Sequence, residues 1–423
     1  MRESPRLLFL AYDFPPINNI GCVRAYNIAK WLTRKGWEVT VVTPDESAWR
    51  RAGSATDLHE DLSRQGIRCM RTEHRWRSLL PALSERRKYD LAWAAGGVSR
   101  RIAGFLGIER ETGWIREAEK ACAALTADDV DVVFVSGPPF AAFGLARRVA
   151  ERLGRPYVMD YRDLWTGNPH AKHLAPQRRI ERERNVLAAS AAATGVSPSL
   201  RESLREQFGV GKALHVISNG FDPEEMARVP RHDFGQFAIV YAGMFYLPKR
   251  TPVPLMAALQ RLEQVNGNEK QWKFHYYGSQ GEYVLECARE FNVEHRVVIH
   301  GNVPRAEALA AVAGANVAVV ISSVYAQGSL QDRGIVTGKV FEAIGLGTPL
   351  LVIAPEGSDL EGVLSLTRLG KRFAGTDIDG IAGFLRDAMN GGDRPGFSAE
   401  PFSWAKIVEQ LDGVLREAAA AKG

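Results

Sequence analysis

"DRGIVTGKVFEAIGLGTPLLVIAP" runs from Asp332 to Pro355 and changes character part-way. From Gly338 the apolar residues Val340, Phe341 and Ile344 recur at helical spacing. The run "PLLVIA" (349–354) that follows is short and uniformly apolar, as a strand covered on both faces would be. A short helix leading into a buried strand is a piece of a parallel α/β sheet. Lys339 and Glu342 are the charged residues of that helix. Three positions apart, they project within ~60° of each other, away from the apolar side chains.

The same alternation extends upstream. "FAIVYAG" (237–243), "KFHYYGS" (273–279), "RVVIHGN" (296–302) and "NVAVVIS" (316–322) join "PLLVIA" as five predicted strands with helices between them. Earlier in the chain, "LLFLAY" (7–12) precedes a helix from about Val23, in which Ala25, Ile28, Ala29 and Leu32 recur before Gly36. "EVTVVT" (38–43), "DVVFVS" (131–136), a helix over 141–153, "PYVMD" (156–160), "TGVS" (194–197) and "HVIS" (215–218) complete that half. The non-periodic stretch 222–236 separates the two. The predicted fold class is therefore α/β, with two doubly wound parallel-sheet domains, 1–221 and 222–402. An Ala-rich helix, 403–423, follows and can pack back on the first domain.

At 423 residues the chain exceeds what one core supports. A net charge of +5 is a modest excess over that length. It is weak support for nucleic acid, which is not expected as a partner, and suits a phosphorylated substrate or an anionic membrane surface. No run of about 20 apolar residues is present to span a bilayer. Residues 1–16 read as a first strand, with no signal peptide. Cys22, Cys69, Cys122 and Cys287 stand far apart without metal spacing, as in a reducing cytosol. Residues 71–120 are rich in Arg and Trp and predicted mainly helical. They read either as a solvated helical insertion or as an amphipathic patch giving peripheral contact with the inner membrane face.

In such sheets, loops at the carboxyl ends of strands and helix N-termini take anionic ligands. "PPINNIGCVR" (15–24) places Gly21 just before a helix, where backbone can approach a phosphate. No dinucleotide glycine fingerprint and no P-loop motif is present. "AGMFYLPKRT" (242–251) offers the adjacent cations Lys249 and Arg250, which suit a diphosphate. "MDYRDLWTGNPH" (159–170) brings Asp160, Arg162, Asp163 and Trp165 to a strand end, with Asp13 able to join them. Two carboxylates around an arginine suit a site that binds hydroxyls and stabilises developing charge; an internally paired loop is the alternative. The D-x-D triplets 129–131 and 377–379, and His170 and His173, read as solvated surface groups, and no metal site is predicted.

"DFPPINNIGCVRAYNIAKWLTRKGWEVTVVTP", "PYVMDYRDLWTGNP", "VISNGFDPEEM", "IVYAGMFY", "GNVPRAEALAAVAGANVAVVIS" and "GKVFEAIGLGTPLL", in this order, resemble the retaining family 4 glycosyltransferases. The similarity is closest to branches that build bacterial polysaccharides or decorate secondary metabolites. It implies the GT-B fold, two Rossmann-like domains facing a central cleft. A nucleotide-sugar donor of UDP or GDP type would sit mainly in the second domain, with no other cofactor. A carbohydrate, lipid-linked or small-molecule acceptor would face the first domain. By this resemblance Glu342 binds the ribose and Lys339 lies beside the donor. Gly243, Lys249 and Arg250 serve the diphosphate, Gly21 packs on the donor phosphates, and the backbone at Val303 meets the base.

Asp160, Arg162, Asp163, Lys249 and Lys339 form the expected catalytic set for metal-independent hexosyl transfer with retention. Three positions depart from the family pattern: Gly334 replaces a glutamate that contacts the sugar, Met244 replaces an arginine, and the Asp160–Asp163 cluster stands where many relatives have histidine. Asp332 is the nearby carboxylate that could substitute. A sugar-nucleotide epimerase of the same fold and a non-catalytic partner subunit are the alternative functions.

Overall fold

The structure, a computed structural model, describes residues 4–17, 20–45, 62–73, 112–167, 177–209, 213–266, 271–391 and 396–421. Its strands form two sheets. The first comprises β1 (Arg6–Ala11), β2 (Glu38–Pro44), β3 (Arg68–Thr72), β4 (Val132–Gly137), β5 (Tyr157–Tyr161), β6 (Ala192–Gly195) and β7 (Leu214–Val216). The second comprises β8 (Phe237–Ala242), β9 (Trp272–Tyr277), β10 (Val297–Gly301), β11 (Val317–Ile321), β12 (Leu350–Ile353) and β13 (Gly370–Phe373). Strand orders are β3-β2-β1-β4-β5-β6-β7 and β10-β9-β8-β11-β12-β13, all pairings parallel. In each sheet the order reverses beside its first strand, between β1 and β4 and between β8 and β11. Loops leaving such neighbours diverge and open a crevice at the carboxyl ends.

Helices cover both faces, so the strands are apolar on both sides. β12 shows this residue by residue: Leu350 and Val352 enter one core cluster, Leu351 and Ile353 the opposite one. Helix Gly338–Leu346 buries Val340, Phe341 and Ile344 at 0% exposure in the first of these clusters. Each such side chain contributes about 1.5–3 kcal/mol on burial, and together they turn Lys339 and Glu342 away from the core. The sequence reading missed two strands, β3 "RCMRT" and β13 "GKRF". Both lie at sheet edges and carry charged residues, which erases the apolar run that marks a central strand.

The chain divides into two compact units. One is Met1–Val196 with Leu204–Ile217 and Val408–Gly423; the other is Ser197–Ser203 with Ser218–Ile407. The passage between them thus falls at Ser218, ahead of the 222–236 stretch. That stretch belongs to the second unit, where the His232 amide donates to Ala310 at 3.0 Å. The last helix, Trp404–Ala420, has its residues from Val408 onward in the first unit. There Trp37 Nε1 donates to Asp412 at 2.7 Å.

Most of the 71–120 region, and with it the expected membrane patch, lies outside the described residues, as do His170 and His173. Among the described residues no helix is long and apolar enough to cross a membrane.

Candidate functional site

In the second unit the site is built around the end of β8. Gly243 has φ +148°, a conformation that L side chains rarely adopt. Its amide donates to Tyr277 O at 2.7 Å and its carbonyl accepts from Tyr276 Oη at 2.9 Å. A Cβ added here would stand 1.4 Å from Lys339 Nζ. The glycine therefore leaves the volume that the ammonium fills.

Lys339 is the second residue of helix Gly338–Leu346, and its Nζ lies 5.6 Å from the Tyr241 ring centroid. Burial lowers its pKa to about 8; Arg250 pushes the same way, and Glu342 opposes both. Among the described residues Lys339 has no hydrogen-bonded or ion-paired acceptor. Thr337, in the N-cap position, makes no side-chain capping bond, and its Oγ1 is buried without a partner. The first amides of that helix have no intrahelical acceptor, and the dipole there favours negative charge.

A tight hairpin returns two more cations to the same strand end. Tyr246 and Arg250 exchange both backbone hydrogen bonds, at 3.0 and 2.9 Å. The Arg250 guanidinium lies 5.1 Å over the Tyr246 ring, and its Nε is buried and unpartnered. Lys249 Nζ binds Asp332 Oδ1 at 2.6 Å, while Ser329 Oγ donates to Asp332 Oδ2 at 2.9 Å. Burial alone would raise the Asp332 carboxyl; the bonds from Lys249 and Ser329 outweigh it and hold the pKa below its usual value.

One turn along the helix, Glu342 Oε1 accepts from Arg305 Nη1 at 2.5 Å. Arg305 Nη2 reaches Glu225 Oε2 at 3.2 Å, so one guanidinium serves two carboxylates. Burial raises the Glu225 carboxyl, and the nearby Glu342 and Asp222 add to this against Arg305. The sequence reading missed Arg305 and Glu225. Arg305 opens a helix directly after a strand end and Pro304, a position that could have flagged it; Glu225 carries no comparable mark. Val303, half-buried, packs against the cluster of Ala238, Val240, Tyr277, Ala311 and Ala315.

The first unit has its own strand-end cluster. A Cβ on Gly21 would stand 1.6 Å from Arg162 Nη1 and 2.6 Å from Asp13 Oδ2. Arg162 thus lies across the start of helix Ile20–Arg34, and its Nη2 donates to Asp13 at 2.7 Å and also to Pro138 O. Asp13 joins Arg162 of the "MDYRDLW" loop, as expected, and the pair sits against Gly21.

Asp160 takes a different place from the one anticipated for a catalytic carboxylate. It is 0% exposed, gripped by Arg24 through Nε at 3.0 Å and Nη2 at 2.6 Å. Ser136 Oγ at 2.8 Å and Thr194 Oγ1 at 2.7 Å fill its remaining acceptor positions. Burial would raise its pKa, but Arg24 and the two hydroxyls hold it down. It ties β4, β5, β6 and the first helix together and presents no oxygen to a ligand. Asp163 is exposed, and Trp165 stacks on Phe140 at 5.6 Å. In the D-x-D triplets Asp131 pairs with Arg6, Asp379 pairs with Arg261, and Asp377 caps a helix.

Comparison of the fold finds sucrose-phosphate synthase from Thermosynechococcus elongatus at 15% identity and TM-score 0.63, covering 99% of this chain and 100% of that one. HepE from Anabaena, solved in complex with UDP-glucose, aligns at 14% identity and TM-score 0.58, over 97% of this chain and 99% of that one. The lipopolysaccharide outer core galactosyltransferase WaaB aligns at 12% identity and TM-score 0.57, over 97% and 99%. No curated protein matches the chain by sequence. Residues 22–220 match the family model described as a glycosyl transferase 4-like domain. The chain has the GT-B fold, and the glycosyl transferase 4-like match falls within its first half. The family match includes Arg162 but begins one residue after Gly21, and the Lys339 cluster lies beyond it, in the second sheet.

Proposed function

We propose that the protein transfers a hexose-type sugar from a nucleotide-diphosphate donor of UDP or GDP type to an acceptor hydroxyl, with retention at the anomeric carbon. The observation that carries this is the Lys339 ammonium, largely desolvated, lacking an anionic partner among the described residues, and set at a helix start beside Gly243. An ion placed so is short of one thing, an anion. A departing diphosphate supplies it and gains most as its charge develops. Arg250 extends the positive surface, and Lys249 joins once it exchanges Asp332 for phosphate. Glu342 is the ribose-hydroxyl acceptor and the backbone at Val303 the base contact. The UDP-glucose complex of the structural neighbour HepE supports a donor of this class.

In the proposed reaction the bond from the anomeric carbon to the phosphate oxygen breaks, and a bond to the acceptor oxygen forms on the same face. The acceptor's proton passes to the departing phosphate, so no strong protein base is needed.

A thermal-shift panel of UDP, GDP and their hexose conjugates tests the proposal. At least one should raise the melting temperature of the wild type by several degrees, and that of Glu342→Ala far less. Absence of any shift, or equal shifts in both proteins, would overturn it.

A further inference from the structure

Exposed apolar side chains are normal when scattered, and informative when gathered. Among the described residues seven large apolar side chains are exposed, and Met244 (46%), Tyr246 (50%), Leu247 (62%) and Tyr325 (40%) lie on two loops at the carboxyl edge of the second sheet. Tyr246 and Leu247 belong to the hairpin that carries Lys249 and Arg250, and Met244 stands just before it. The Val324 amide donates to Lys249 O at 2.8 Å, which holds the loop bearing Tyr325 alongside that hairpin. The surface flanking the proposed diphosphate site therefore joins the aliphatic Leu247 and Met244 to two tyrosine rings, a broad apolar platform.

We infer that the acceptor carries an apolar, flat aglycone next to its accepting hydroxyl, and that Leu247 and Tyr325, with Tyr246 and Met244, form the surface it lies on. The inference rests on the donor site proposed above and deepens it by naming the acceptor's chemistry. An acceptor hydroxyl must come within bonding distance of the anomeric carbon beside the diphosphate. The rest of that molecule consequently covers the groups around Lys249, Arg250 and Lys339. The hairpin is already fixed, by its paired backbone bonds and by Arg250 over the Tyr246 ring, so little ordering opposes binding.

Two other occupants fit less well. A bilayer-inserting tip is ordinarily flanked by cations turned toward lipid headgroups. Here Lys249 is paired to Asp332, and Arg250 is folded over Tyr246 with a buried Nε. A second copy of the chain would need roughly 600 Å² or more from each partner for a stable contact, beyond what four side chains supply.

The test titrates 4-nitrophenyl glucoside and galactoside, and their methyl counterparts, into nucleotide-saturated protein by calorimetry. The aryl glycoside of at least one sugar should bind wild type about tenfold or more tighter than its methyl counterpart. In Leu247→Ser/Tyr325→Ser that gap should close, while the nucleotide-induced thermal shift stays as in wild type. Equal affinities of aryl and methyl glycosides, a gap that survives in the variant, or no aryl binding at millimolar concentration would each overturn the inference. So would co-sedimentation of wild type with phosphatidylglycerol vesicles that the variant loses, or a wild-type dimer that the variant converts to monomer. Loss of the nucleotide shift in wild type would instead sink the donor site, which separates the two failures.

Discussion

Asp160 at the end of β5 and Lys339 beside the end of β8 are both charges withdrawn from water at the carboxyl edge of a parallel sheet. Around Asp160 the fold supplies a bidentate arginine and two hydroxyls, all from the same unit. Around Lys339 it supplies an aromatic face, a glycine and a second cation, and among the described residues no acceptor. The two environments have opposite electrostatic consequences. A buried charge with every hydrogen-bonding position filled contributes to one folded arrangement and is lost only with it. A desolvated charge with none filled raises the energy of the unliganded protein and lowers that of the liganded one.

The largest effect expected from this contrast is on stability. Asp160→Ala leaves Arg24 buried without its counter-ion and should destabilise the protein by about 3–5 kcal/mol in urea unfolding. The nucleotide shift of whatever remains folded should be preserved. A variant that is as stable as wild type but no longer binds acceptor would reverse the assignment of Asp160.

Lys339→Met should do the opposite. Removing a charge buried without a partner leaves stability unchanged or improved, while nucleotide affinity should fall roughly tenfold or more, the scale of one charge-assisted hydrogen bond. The wild type should also show a pH step. Lys339 is an ammonium below its pKa of about 8 and a neutral amine above it, so nucleotide binding should weaken as pH rises from 7 to 9. The step should disappear in the variant, and affinity that is flat with pH in wild type would remove Lys339 from the anion site.

A smaller, sharper change is expected at the bridge between two carboxylates. Arg305→Met leaves Glu342 and Glu225 facing each other without the guanidinium that separates their charges. The donor KM should rise a few-fold with kcat little altered, and Arg305→Lys should recover part of the loss. Equal falls in kcat and kcat/KM would instead place Arg305 in contact with the reacting groups.

Much of this could be read along the chain. Central strands such as "LLFLAY" and "PLLVIA" are apolar because helices cover both faces of their sheets, and that leaves a local record. Edge strands β3 and β13 carry Arg and Lys and leave almost none. Lys339, Glu342, Lys249 and Arg250 could be singled out because each follows a strand or opens a helix. The misplacement of Asp160 came from its partner: Arg24 lies 136 residues earlier, in another helix, and nothing near Asp160 in sequence announces it. Arg305 does open a helix after a strand end, but its pairing with Glu342, 37 residues on, left no trace near either residue.

The sequence by itself determined the alternation of strands and helices, the doubling of that pattern, and the strand ends at which charges gather. These follow from side-chain periodicity and turn chemistry, which act over a few residues. Tertiary structure alone decided which charges meet a partner. Pairing depends on distances between segments remote in the chain, and the energy of a buried charge is set by whatever those segments bring within about 3 Å of it.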